Sequence, residues 1–237
     1  MAIPLIKTPE FKTTIPSTGK EIYFRPFLVK EEKILFMAKE GNDSNEIVNA
    51  IKNVLSDCIL TDGIEVENLA LFDIEYLFLQ LRSKAVGESI DLNLRHRGET
   101  ECTHVTEYQL KIDDIKVQFP EGHDKKIMVD DKIGIQFKYP NIESMKEFED
   151  LDFNDLKKVI ELIAKHIDFV YDQENVYDQF TQEEAVEFLE NLSKPMFEKA
   201  TSFFTNMPVL RHSITWKCPG CGEEETILVG GLNNFFL

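Results

Sequence analysis

The chain lacks the short motifs by which common catalytic folds are recognised. There is no Gly-rich phosphate loop, no Gly-x-Ser-x-Gly elbow and no His-Glu-x-x-His pair, so phosphate-cradling, nucleophile-elbow and metalloprotease chemistries have no visible seat. Cations are scarce: 26 Lys and Arg stand against 43 Asp and Glu, a formal net charge of -17 with a pI near 4.7. Nucleic acid and anionic membrane surfaces both demand basic patches, so neither is expected as a partner. A protein with basic patches is. Four cysteines in 237 residues do not make a disulfide framework. No apolar run approaches the roughly 20 residues of a membrane span. Met1-Ala2-Ile3-Pro4 does not open like a signal peptide, and synthesis in a reducing cytoplasm is expected. Internal repeats and low-complexity segments are also missing. A hydrophobic content of 43% still supports a core, in one large domain or two small ones.

What the chain does have is concentrated near its C-terminus, in Trp216-Lys217-Cys218-Pro219-Gly220-Cys221-Gly222. Two cysteines separated by Pro and Gly form a tight turn that aims two thiolates at one ion, and backbone amides at the sulfurs. A redox pair of the thioredoxin type would sit between a strand and a helix. Here Ser213–Lys217 and Thr226–Val229 read as strands on both sides, which favours a zinc half-site in a hairpin turn. The remaining ligands are expected from a second hairpin, Ile90–Leu94 with Tyr108–Ile112, whose connection holds His96, Cys102 and His104. Cys102 is the best third ligand. The fourth, His96 or His104, stays open, as does a hairpin without metal. Cys58 falls on the apolar face of a helix and is left out as a small buried hydrophobe. A shell made mostly of thiolates is closed, so the expected zinc is structural and not a water-activating centre.

Along the chain, Phe11–Ile15 and Glu21–Arg25 read as a hairpin. A helix follows over Lys30–Ala38, with a stripe of Ile34, Leu35, Met37 and Ala38. Another begins at Ser44 as its cap, and a third runs from Asn68 to Ala85. Ile115–Phe119 extends the second hairpin or a neighbour of it. Lys126–Val129 and Ile133–Tyr139 read as a strand pair, and His123 as a solvated turn residue. Met145–Phe148 reads as a short helical segment. Leu156–Tyr171 reads as one helix capped by Asn154, with His166 on a solvated or partly buried face. Thr181-Gln182-Glu183-Glu184 fits a capping box. Ser193 with Pro195 opens the last helix. The runs Glu147–Asp150 and Glu223–Glu225 read as solvated faces, and no catalytic carboxylate pair stands out. The fold class is therefore α+β: an N-terminal hairpin and helices over residues 1–86, split zinc-ribbon-like hairpins over 87–119 and 209–237, and an inserted, mainly helical subdomain over 120–208. One helix is expected to present an exposed apolar patch. The terminal Leu232–Leu237, ending Phe-Phe-Leu, is expected either to complete the core or to dock into a partner.

Several stretches carry a resemblance. Arg25-Pro26-Phe27-Leu28-Val29-Lys30-Glu31-Glu32-Lys33-Ile34-Leu35 leads the first hairpin into a helix. A helix ending near Cys58 follows, then the Cys/His hairpin, an insertion, and Cys218-Pro219-Gly220-Cys221 running to Gly230-Gly231-Leu232-Asn233-Asn234-Phe235-Phe236. This order resembles the baseplate hub and hub-assembly proteins of T4-like contractile-tailed bacteriophages, over essentially the whole chain. Members often carry two cysteines in the first hairpin, where this chain has Cys102 with His96 or His104. The resemblance implies a non-enzymatic role through contacts with other baseplate or tail proteins, in the host cytoplasm during assembly or in the virion baseplate. Self-association into an oligomer stays open. Two other classes stand beside this reading: a zinc-ribbon adaptor of another complex, such as a transcription or replication assembly, and an enzyme with an unrecognised site.

Overall fold

The computed structural model describes residues 7–41, 43–96, 102–144, 147–148, 151–152 and 154–231. The chain divides into two compact units, one of residues 1–118 with 209–237 and one of residues 119–208. The expectations for Met145-Lys146 and for Leu232–Leu237 fall outside the described residues.

The first unit opens with an antiparallel hairpin, β1 (Phe11–Thr14) and β2 (Glu21–Phe24), with Phe11 opposite Phe24. Alternation along β2 buries Ile22 and Phe24. Helix α1 (Val29–Gly41) buries only Glu31, Leu35 and Ala38. Of the expected stripe, Ile34 and Met37 face outward, with Val29 and Phe36, so the helix is apolar on both sides. Helix α2 (Ser44–Cys58) is capped by Asp43, one residue before the expected Ser44; the Asp43 carboxylate accepts the Asn45 amide. Asp43 does what a Ser cap would do, satisfying an amide that has no intrahelical partner. Ala50, Ile51, Val54, Leu55 and Cys58 make its buried face. Burial pushes the Cys58 thiol up to about 11, so it is inert at neutral pH.

Helix α3 (Leu71–Ala85) is the central element of this unit. Phe72, Ile74, Leu77, Phe78, Leu79 and Leu81 are all buried, covering more than one face, as expected for a helix surrounded by other elements. The hairpin β3 (Ser89–Leu94) with β4 (Thr106–Lys111) sets Ile90 opposite Leu110. Strand β5 (Lys116–Gln118) does not extend that hairpin. It pairs instead with β10 (Val209–Lys217), which pairs with β11 (Glu224–Gly230). Residues from both hairpins close one core, including Ile90, Leu94, Leu110, Leu210, Ile214 and Trp216, with Leu79 from α3.

The second unit holds a four-stranded antiparallel sheet in the order β6 (Lys126–Met128), β7 (Gly134–Phe137), β8 (Ile167–Tyr171), β9 (Val176–Tyr177). Its helices among the described residues include α4 (Leu156–Lys165), α5 (Gln182–Glu190) and α6 (Lys194–Thr205), and Glu147–Phe148 are also helical. The expected single helix over Leu156–Tyr171 is thus a helix and a strand. Ile160, Ile163, Ile167 and Val170 fit a helical period, but Ile167-Asp168-Phe169-Val170-Tyr171 is also β-branched and aromatic enough for a strand, and the free edge of β7 takes it. Asp155, not Asn154, caps α4, accepting the Lys158 amide. The Thr181–Glu184 capping box forms as expected, each side chain meeting the other's amide. His123 is not merely solvated: its ring stacks on Tyr139 and hydrogen-bonds the phenol at 2.8 Å. His166 is buried among Phe148 and Phe204 with Nδ1 on the Leu162 carbonyl. Burial there, the largest influence, lowers its pKa and keeps it neutral.

Candidate metal centre

The strand ends of the first unit bring chemistry to one place. β10 and β11 remain paired as far as Lys217 opposite Glu224, so residues 218–223 must turn tightly. The Cys218 amide donates to the Glu223 carbonyl and the Gly222 amide to the Cys218 carbonyl, both at 2.8 Å. Gly222 takes φ +81°, in the left-handed region where other residues are strained. Gly220 is required for a different reason. A Cβ there would stand 2.8 Å from the His104 Cβ and 3.4 Å from the Cys102 sulfur, so the knuckle of one hairpin lies directly on the loop of the other.

Four side chains meet. The ligand atoms of His96, Cys102, Cys218 and Cys221 all lie within 4.8 Å of one another. The sulfurs of Cys102 and Cys218 are 3.7 Å apart, and His96 Nε2 is 3.3 Å from the Cys221 sulfur. His104 is exposed and rests on Gly220, outside this group. His96 follows β3 by two residues, and its side chain is only 5% exposed. Its ring lies 5.1 Å from that of Trp216, and Nδ1 meets the Glu225 carboxylate at 2.8 Å. Glu225 thus does more than belong to a solvated charge run. It sits opposite Trp216 in the β10–β11 register, on the strand that leads out of the knuckle.

The electrostatics suit a cation. Burial alone would raise the Cys218 thiol, but the Cys221 and Gly220 amides and the His96 imidazole favour the thiolate, and the net result is a fall to about 6. The Cys221 thiol moves the other way: the Glu223 amide lowers it, but burial and the Cys218 and Cys102 sulfurs outweigh that. Three sulfurs cannot all ionise so close together without a positive charge among them. His96 is raised, first by its hydrogen bond to Cys218 and then, against the opposing effect of burial, by Glu225.

The donor set can hold a metal ion. Tetrahedral zinc with bonds of about 2.3 Å to sulfur and about 2.0–2.1 Å to nitrogen separates two sulfurs by roughly 3.8 Å, and a sulfur from a nitrogen by roughly 3.5 Å. The separations of 3.7 and 3.3 Å are close to both. A disulfide would need about 2.05 Å between sulfurs, and all four cysteines are free. With Glu225 on its far nitrogen, His96 is oriented as a metal-bound imidazole is, with its other nitrogen fixed by a carboxylate.

The comparisons with known proteins cover nearly the whole chain. A family model described as T4 bacteriophage base plate protein matches residues 8–237. The baseplate hub assembly protein gp26 of Enterobacteria phage T4 is 25% identical over 228 residues, which are 96% of this chain and 98% of that protein. No solved structure matches.

Proposed function

We infer the working role of this chain from the premise that it belongs to the T4 bacteriophage base plate protein family. Its role is structural or assembly work on the phage tail baseplate. We propose that it does this work without catalysis of its own, by contacts with other tail and baseplate proteins in the infected host. The observation that carries this reading is coverage: the likeness to a hub assembly protein runs over 96% of this chain, so it belongs to the whole architecture and not to one shared module. The acidic surface counts against direct contact with nucleic acid. Among the described residues no helix is long and apolar enough to cross a membrane.

Zinc, in this reading, is a structural staple held by Cys102, Cys218, Cys221 and His96, joining the hairpins of residues 87–119 and 209–237 into one ribbon-like region. The support is the mutual reach of the four ligand atoms. His96→Ala is expected to lose most of the bound zinc, and His104→Ala to keep about one ion per chain, by metal analysis of chelator-free preparations. Glu225→Gln is expected to weaken zinc retention roughly tenfold against a competing chelator, the usual cost of a lost outer partner. Equal zinc in the His96→Ala and wild-type chains would remove His96 from the set.

The role itself is tested by capturing the tagged chain from infected cells. Tail or baseplate proteins are expected in the recovered complex. Recovery of polymerase subunits without any tail component would favour an adaptor of a transcription complex instead.

A further inference from the structure

The second unit contains an apolar cleft of about 360 Å³ between strands β8 and β9 of its sheet and helix α5. Ile167, Val170, Phe180 and Phe188 form its walls, and Tyr177 its lip. The polar groups that reach it are already committed. Asp172 accepts the Glu174 and Asn175 amides and the Tyr177 hydroxyl. Glu184 closes the capping box with the Thr181 amide. Recognition here falls to apolar contact, and the lip is itself exposed: Val176 and Tyr177, the whole of strand β9, are 61% and 50% accessible.

The charge around the cleft is one-sided. Residues 119–208 carry twenty Asp and Glu against ten Lys and no Arg. Between Lys165 and Lys194, the stretch that supplies β8, β9 and α5, there are eight carboxylates and no Lys or Arg. Asp168 faces Lys138. Asp172 and Glu184 are the charged groups lining the cleft, and no Lys or Arg lines it. Glu174 and Asp178, on either side of strand β9, are exposed, whereas Glu183, Glu187 and Glu190 line a separate groove with Lys158 and Lys165. The charged groups lining the cleft are thus carboxylates only.

We propose that this cleft is a docking site for another baseplate or tail protein, and that its occupant is a segment bearing one or two large apolar side chains flanked by Lys or Arg. The apolar anchor supplies the contact energy, and the basic flanks supply orientation and rejection of acidic competitors. A small polar ligand is a poor fit, because the groups that would orient it are spent on local bonds. This inference rests on the protein-contact role proposed above and adds where the contact is made and with what chemistry.

The test uses the full chain in infected cells, with a photoreactive phenylalanine analogue at position 177 and, as a control, at position 228 of β11, where Leu228 is 55% exposed. The expected adduct forms at 177 and not at 228. It maps to a tail protein segment with a large apolar residue beside Lys or Arg. Tyr177→Asp is expected to reduce recovery of that protein about tenfold, with an unchanged melting temperature. Should that variant misfold, Asp178→Lys, next to the lip residue Tyr177 in the chain, leaves the apolar walls intact and should reduce recovery as well. Tail proteins recovered at wild-type yield from a folded Tyr177→Asp chain, or an adduct on an acidic segment, would overturn the docking site while leaving the assembly role standing. Failure to recover any tail protein with the wild-type chain would overturn both.

Discussion

Cys218→Ser is expected to leave the purified chain without stoichiometric zinc and to lower its melting temperature by at least about 10 °C. Cys218 is the buried member of the cluster, and against the effect of burial the Cys221 amide, His96 and the Gly220 amide lower its thiol to about 6. It faces Cys102, 116 residues away in the chain, so an ion held between them would cross-link two hairpins brought together only by folding. Metal binding to such a site is part of the folding energy, since the unfolded chain offers no assembled ligands. For a chain of this size about 1 kcal/mol moves the melting temperature by roughly 2–4 °C, so losing several kcal/mol of metal-linked stability gives the shift stated. A strong chelator should reproduce the loss in the wild-type chain and leave Cys218→Ser unmoved. Cys58→Ser should retain zinc, because Cys58 lies outside the ligand group. A wild-type chain whose melting is indifferent to chelator would refute the staple.

Local pattern and long-range pairing were not equally legible in the sequence. The β1–β2 hairpin and the β10–β11 hairpin could be read because alternation and turn residues are local signals. The knuckle could be read for the same reason, and Cys102 followed as the remaining thiol outside a helix. The choice between His96 and His104 could not be made locally, since both flank the same connection. It depends on which imidazole meets Glu225, a partner set by the register of a strand more than a hundred residues later. Glu225 itself was hidden in the run Glu223–Glu225, where composition gives no reason to single out one carboxylate.

For another physical reason, the segment Leu156–Tyr171 departs from the helix that its period predicts. Its apolar residues satisfy a helical period throughout, and only the unpaired edge of β7 decides that the last five become a strand. Intrinsic preference is a weak prior against a hydrogen-bonding edge that must be filled. In α1 the apolar positions were visible, but which of them face the core is fixed by the buried Glu31, a residue that pattern-reading assigns to solvent.

Glu31→Ala is expected to destabilise the first unit by about 3 kcal/mol, near the lower end for breaking a buried ion pair. The residue is 1% exposed and meets three groups. Its Oε1 accepts from the Arg25 guanidinium at 2.9 Å and lies 3.1 Å from the Lys30 ammonium; its Oε2 accepts the Leu28 amide at 2.8 Å. Leu28 directly precedes α1, so the carboxylate closes the helix start as the glutamate of a capping box does. Arg25 also donates to the Pro26 and Asp57 carbonyls, tying β2 to the end of α2. The Arg25–Glu31 segment, which in sequence reads as a family signature, is thus a joint between hairpin and helices, and removing its carboxylate leaves Arg25, at 14% side-chain exposure, largely uncompensated. Glu31→Gln should cost less, since the amide oxygen can still accept the Leu28 N–H. The pH dependence follows from the sign of the shift. Burial opposes ionisation of Glu31, but Arg25, the Leu28 amide and Lys30 prevail and bring its pKa down to about 2. A carboxylate depressed on folding contributes its full stability above its unfolded value near 4.3, and loses it as pH falls toward 2. The gap in melting temperature between wild type and Glu31→Gln should therefore be widest above about pH 5 and close progressively below it. A gap that stays constant from pH 6 to pH 3 would mean that the charge of Glu31 does not hold this joint together.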